Sequence, residues 1–456
     1  MSSRKAQKKL MPSSRFRRPS GAAAALVLCS VLLLSVPAEP AWADTPREQQ
    51  WFLDAMKADE MWRTSTGAGM TVAVIDTGVN PKNPNLAGQV LTGKDFALGE
   101  PGDAYVDYEG HGTSMATLIA GKGGAGDGKA PSGLAPGAKI LPIRMPKAES
   151  ANNQADASEK FNRAAHQAIR YAADQNAKII NISMGTNAGS PELTAAVKYA
   201  LDKGSLVFAA VGNSGNVTNE VEYPGATPGV VGVSAVGRNL HGTPESEFGP
   251  QVDMSAPGDE IVHACDGGTG LCESHGTSDA TALASASAAL IWSKHPTWTN
   301  NQVLRVMLNT IGGPTDGAKR NDSIGFGIVR PRIALVNPGD PGPADVYPLP
   351  DPPTSGASAA PATPSPAGTP SPAGTPSPAA TPGKAGAPQA EKLADSRATA
   401  LLPMGFGALG VVVVLLGLWL LRKHRLQEAA AQAQQPSWGH GAGWPENQSR
   451  DHRRSY

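Results

Sequence analysis

Apolar residues along this chain fall into two alternating patterns. Short, mainly apolar, strand-like runs, rich in β-branched side chains, span 70–75, 139–143, 178–182, 205–211 and 229–236. Runs of that length predict strands buried on both faces, as in parallel sheets. Between them the spacing lengthens to the helical period. Phe161, Ala165, Ala168, Ile169 and Ala172 share one face of a helix within 155–176, and 191–203 and 299–310 also look helical. An Ala-rich stretch, Ala280 to Leu290, follows Ser278. Strands alternating with helices imply an α/β domain, a mostly parallel sheet with helices on both faces.

Outside residues 70–337 the pattern changes. Seven Lys and Arg residues between positions 4 and 18 precede an apolar run, Ala22 to Val36, and then Ala41-Trp42-Ala43. A basic region, an apolar core and a small-x-small site predict a signal peptide over 1–43, removed before Asp44. Residues 44–69 form an N-terminal extension. Residues 338–400 are a Pro/Ala/Ser/Thr-rich linker, with a Thr-Pro-Ser-Pro-Ala-Gly repeat from Thr363 that cannot bury a core and predicts an extended stalk. Leu401 to Leu421 carries no charge. At about 1.5 Å per residue it reaches roughly 30 Å, which predicts one transmembrane helix. Arg422-Lys423-His424-Arg425 then places the tail, 422–456, in the cytoplasm. The domain is therefore expected outside the cell membrane on a single-pass anchor.

Charge and cysteine usage narrow the partners. Lys plus Arg total 39 and Asp plus Glu total 39, so no electrostatic pull toward nucleic acid is expected. Of three cysteines, Cys29 falls in the signal peptide, leaving Cys265 and Cys272. An even pair in an extracytoplasmic domain reads as a disulfide. His263 and His275 lie nearby, but a zinc site needs more than proximity in sequence, and no metal or other cofactor is expected.

Three short motifs carry candidate chemistry: Val72-Ala73-Val74-Ile75-Asp76-Thr77-Gly78, Gly110-His111-Gly112-Thr113 and Gly276-Thr277-Ser278-Asp279-Ala280-Thr281. Alone, each has a plainer reading. An Asp after a strand is a turn residue, one His among nine is structural, and a Ser before an Ala-rich stretch is a helix cap. Together, in the order Asp, His, Ser, the motifs resemble the subtilisin-like serine proteases over roughly residues 55 to 335. The resemblance implies a nucleophile, Ser278; a base near neutrality, His111; and a carboxylate, Asp76, that fixes the base's tautomer. It also implies that Asn213, closing the apolar run Val207 to Val211, joins the Ser278 N–H in an oxyanion hole. Loss of such a side-chain donor in a subtilisin lowers the rate roughly 100- to 1000-fold. Ile179 to Gly185 resembles the strand that pairs with an extended peptide substrate. Ser183, Gly185 and Gly212 would then line the pocket for the residue before the scissile bond. Neither Ser183 to Gly185 nor Ala210 to Gly212 carries a charge, so side-chain preference stays open.

Two departures from the family pattern stand out. Asp279 and Ala282 replace the usual Met and Pro beside the nucleophile. The Asp279 side chain is expected to point away from the oxyanion hole and to be hydrogen-bonded. The roughly 25 residues between Asp44 and Gly69 cannot form a globular inhibitory prodomain. This is similar to the mycosin branch, membrane-anchored proteases of actinobacterial type VII secretion systems, whose N-terminal segment runs along the catalytic domain. The resemblance implies a protein or peptide substrate and an association with secretion machinery. An alternative expectation is a structural stabiliser of a secretion complex in which proteolysis is secondary.

Overall fold

The structure, a computed structural model, describes residues 44–123, 130–147, 150–266 and 270–350. The apolar runs become the middle of a seven-stranded sheet built from β1 (Thr71–Asp76), β2 (Lys94–Asp95), β3 (Lys139–Arg144), β4 (Ile179–Ile182), β5 (Leu206–Ala210), β6 (Val231–Val236) and β7 (Met254–Pro257). Their spatial order is β2-β3-β1-β4-β5-β6-β7. Every neighbouring pair is parallel. Central β1 places Val72 between Ile140 and Ile179.

Eight helices are named here: α1 (Trp51–Met56), α2 (Ala58–Trp62), α3 (His111–Ala120), α4 (Gln154–Asp174), α5 (Pro191–Asp202), α6 (Thr277–Lys294), α7 (Asn300–Asn309) and α8 (Pro331–Val336). Alternate strand residues serve opposite faces, as the two-residue pleat requires. Val72, Val74, Ile140, Leu206 and Phe208 pack with residues of α1, α2, α3, α6, α7 and α8. Ala73, Ile75, Leu141, Ile180 and Val207 pack with α4 and α5.

Helix α6 is buried from Thr277 to Trp292 except at Ser278. It packs against β4, β5, β6 and β7. Its alanines allow that close approach, and its buried hydroxyls are bonded. Thr281 Oγ1 donates to Thr277 O, Ser287 Oγ to Leu283 O and Ser285 Oγ to Asn181 Oδ1. A separate antiparallel hairpin pairs β8 (Ile261–Ala264) with β9 (Leu271–Ser274). Cys265 and Cys272 are disulfide-bonded across it, with Cα atoms 5.8 Å apart.

Both flanks of the domain are packed down. Phe52 and Leu53 of α1 have no exposure. Buried Gln50 donates to Ser132 O and Val262 O and accepts from Ser132 N. At the other end, Arg305 Nη1 donates to Pro341 O and Pro343 O, Tyr347 Oη donates to Gly229 O, and Leu349 is buried. Among the described residues no helix is long and apolar enough to cross a membrane. The segments read as signal peptide (1–43), transmembrane helix (401–421) and tail (422–456), and the repeat from Thr363, lie outside the described residues.

Candidate active site

Asp76 is the last residue of β1 and is fully buried. Its Oδ1 accepts from the Thr77 backbone N–H at 2.8 Å and lies 2.7 Å from His111 Nδ1. The carboxylate therefore fixes the tautomer, with the proton on Nδ1 and Nε2 turned outward as the base. His111 opens α3, and the close approach depends on the next residue. A Cβ on Gly112 would collide with Gly78 O and meet the Asp76 Cβ at 3.0 Å. Burial pulls the His111 pKa down, but Asp76, with Asp279 and Asp107 farther out, raises it to about 9.

Asp107, which lies outside the three motifs, and Thr77, which lies inside the first, hold this corner together. Asp107 Oδ1 accepts from Gly110 N and from the Thr77 hydroxyl, each at 2.7 Å, and Oδ2 accepts from Thr113 N at 2.7 Å. It thus satisfies free N–H groups at the start of α3. Thr77 Oγ1 in turn accepts from Gly112 N at 2.9 Å. Nothing in a run reading Asp-Tyr-Glu-Gly distinguishes such a capping Asp from any loop carboxylate.

Ser278 is the second residue of α6, after Gly276 at φ +138°. Gly276, not Ser278, precedes the first helical residue, so the cap reading of Ser278 does not hold. Helices α3 and α6 pack against each other, and Asp279, next to Ser278, lies close enough to influence His111. The Ser278 hydroxyl is not hydrogen-bonded to His111; it donates to Ser183 O at 3.1 Å. Ser183 Oγ donates back to Ser278 O at 3.1 Å. Behind this exchange, buried Asn181 receives Ser285 Oγ on its Oδ1 and donates Nδ2 to Ser183 Oγ. The backbone of Ser278 is thereby tied to β4, while its hydroxyl rests on a competing acceptor.

Asn213 is exposed, and its amide orientation is set by donors. Its Oδ1 accepts from Thr277 N at 2.9 Å and Thr277 Oγ1 at 3.1 Å. A backbone N–H can only donate, so Oδ1 must face Thr277 and Nδ2 must face away. No described residue accepts from Nδ2. Asp279 is buried beside this corner, and Ser274 Oγ lies 2.9 and 3.0 Å from its two oxygens. Its carboxyl engages the end of β9 rather than Asn213, as expected. Burial raises its pKa against the opposing pull of His263, Ser274 and His111.

Gly185 and Gly212 are joined through a third segment. A Cβ on Gly185 would meet Glu222 Oε2 at 2.7 Å and Tyr223 O at 3.2 Å. A Cβ on Gly225 would meet Val211 Cα at 3.2 Å. Residues 222–225 thus connect the Ser183–Gly185 side to the strand end leading into Gly212. Among the described residues no cluster of His, Cys, Asp and Glu is placed to hold a metal ion. A cavity of about 660 Å³ near Met56, Leu240, Ile324 and Ile333 contains none of the candidate residues.

The chain is similar to known proteins in sequence and in fold. Thermitase from Thermoactinomyces vulgaris is 34% identical over 244 residues, 52% of this chain and 82% of its own. MycP1 from Mycobacterium smegmatis is similar in structure at TM-score 0.57 and 28% identity, over 68% of this chain and 89% of that one. The periplasmic assembly from the ESX-5 inner membrane complex gives TM-score 0.57 at 27% identity, over 70% and 92%. The family model described as the subtilase family, Peptidase S8, matches residues 67–327, a span that holds Asp76, His111, Asn213 and Ser278. With more than half its length under that one match, this chain belongs to the subtilase family of serine proteases.

Proposed function

We propose that the protein is an extracytoplasmic, membrane-anchored endopeptidase that works through an acyl-enzyme on Ser278 and serves a type VII secretion machine. The observation that carries the chemistry is the 2.7 Å pairing of a fully buried Asp76 with Nδ1 of His111, on a helix packed against the one that carries Ser278 in its first turn. The mechanism requires the Ser278 hydroxyl to leave Ser183 O and bond His111 Nε2; catalytic hydrogen bonds often tighten only once substrate is bound. His111 accepts the proton as Ser278 Oγ attacks the scissile carbonyl. Asn213 Nδ2 and the Ser278 N–H receive the oxyanion, and the amide held by Thr277 needs little reorganisation to do so. His111 then protonates the leaving amine, and water enters to release the acyl group. An extended peptide beside β4 and Ser183–Gly185 would be held by main-chain hydrogen bonds.

Anchoring rests on the uncharged run 401–421 and the basic cluster after it. The secretion partner rests on likeness to MycP1 and to the ESX-5 periplasmic assembly. Likeness to an assembled complex also favours a structural contribution. A fluorophosphonate probe separates the two roles. Wild type should be labelled and Ser278→Ala should not. If secretion in a strain carrying only Ser278→Ala is unchanged while deletion of the whole protein abolishes it, the structural role is the essential one.

A further inference from the structure

The pocket segments Ser183–Gly185 and Ala210–Gly212 carry no charge, but the structure places charges behind them. Glu222 lies against Gly185, as the 2.7 Å approach of its Oε2 to that Cβ position shows. Glu247 lies against Gly212. A Cβ there would collide with its carboxylate, with Oε2 at 2.6 Å, and the backbone at Gly212 has φ +112°. Only glycine fits at that point, and the missing side chain leaves the carboxylate against the bare pocket wall. Glu247 has no exposure. Its Oε1 accepts from Ser214 Oγ at 2.7 Å, whereas its buried Oε2 has no hydrogen-bond partner. Half-buried Glu222 forms no side-chain hydrogen bond or ion pair with any described residue.

These carboxylates also influence one another. Burial, then Glu247 and Glu220, push the Glu222 pKa up to about 7. Burial likewise raises Glu247 despite its bonds to Ser214, and Glu220 adds to it. Glu220 is exposed and bonded to Asn187 Nδ2. No Lys, Arg or His forms an ion pair with any of the three among the described residues. Two acidic side chains at one wall, with no cation paired to either, leave a place for a positive charge.

We infer that Glu222 and Glu247 form the base of the pocket beside Gly185 and Gly212 and select substrates with Arg or Lys immediately before the scissile bond. This rests on the protease reading above and on those glycines lining its substrate pocket. A long side chain carries its apolar stem between the glycine walls and brings its cation to the two carboxylates. An acidic residue in the same place meets repulsion.

The test uses the full-length protein and peptide nitroanilides that differ only in the residue before the scissile bond: Arg, Lys, Leu or Glu. Arg and Lys should exceed Leu in kcat/KM by roughly 10- to 100-fold, and Glu should be the poorest. Glu222→Gln should shrink the Arg-to-Leu ratio about tenfold while leaving Leu cleavage in place, which also shows that the variant is folded. Glu247→Gln should do the same; if it lowers Arg and Leu cleavage alike, Glu247 only holds the Ser214 loop and the assignment to it fails. Ser278 labelled by fluorophosphonate, with Leu cleaved as well as Arg, overturns the pocket and leaves the protease reading intact. No labelling and no cleavage of any peptide overturns both.

Discussion

His111 sits in opposing fields. Burial favours its neutral form, the Asp76 carboxylate favours the cation, and the balance lies at about 9. A general base must be neutral to accept a proton. The kcat/KM of the free enzyme should therefore climb with pH toward about 9 and level off above it. Stability runs the other way. A histidine whose folded pKa is raised stabilises the fold fully below about 6.5, and that contribution fades as pH rises through about 9. A rate profile from pH 6 to 11, set beside Asp76→Asn, measures this. The variant should move the rising limb down toward the ordinary imidazole range and lower kcat on the order of 10⁴-fold. A wild-type limb centred near 6.5 would contradict the pairing as described. The pairing of Asp76 with His111 was readable from the sequence only through the conjunction of three motifs in order, since each motif alone has a plainer reading. Glu222 and Glu247 were not, since the carboxylates approach the glycine walls only after segments 37 and 35 residues away in number, from Gly185 to Glu222 and from Gly212 to Glu247, have folded back.

Helix α3 is the element on which the base depends, and its first turn is an uncommon start. Gly110 at φ +82° precedes it, and no side chain of Gly110 can cap it. Asp107 supplies what is missing by accepting from Gly110 N and Thr113 N and by holding the Thr77 hydroxyl. Asp107→Ala should cost about 1–2 kcal/mol of stability, the loss of a helix cap. It should also lower kcat while leaving KM nearly unchanged, because the imidazole loses its fixed approach to Asp76. Thermal melts and steady-state kinetics on the variant measure both; a stability loss with unaltered kcat would restrict Asp107 to capping. The Gly-His-Gly start also explains why α3 was not expected as a helix, since glycine is a weak helix former. By contrast β1, β3, β4, β5 and β6 were legible as mainly apolar runs. Strand β7, Met254-Ser255-Ala256-Pro257, has no such run, and β2 is only two residues long. Those edge strands arise from pairing with β6 and β3, not from local preference.

For the whole molecule, the N-terminal extension behaves as part of the fold. Phe52, Leu53, Met56 and Met61 are buried in the same core that holds α3 and α6. Trp51 Nε1 donates to Asp259 O and Trp62 Nε1 donates to Leu134 O, each at 2.9 Å. Gln50 bonds Ser132 on one side and Val262 of β8 on the other. The sequence showed that this segment is too short for a globular inhibitor, and the family resemblance implied that it runs along the catalytic domain. Its role became visible once residues more than two hundred positions away, at Asp259 and Val262, came into contact with it. Each of the four apolar side chains contributes about 1.5–3 kcal/mol by leaving water, so together they rival the ~5–15 kcal/mol by which a domain is stable. None of the hydrogen bonds made by residues 44–63 reaches Asp76, His111, Asn213 or Ser278. A chain starting at Thr64 should therefore melt far lower than one starting at Asp44, or aggregate, with no rise in peptide cleavage per folded molecule. Equal melting temperatures together with higher cleavage by the shorter chain would instead make the segment an inhibitor, which its contacts with the core and its distance in bonding from the candidate site argue against.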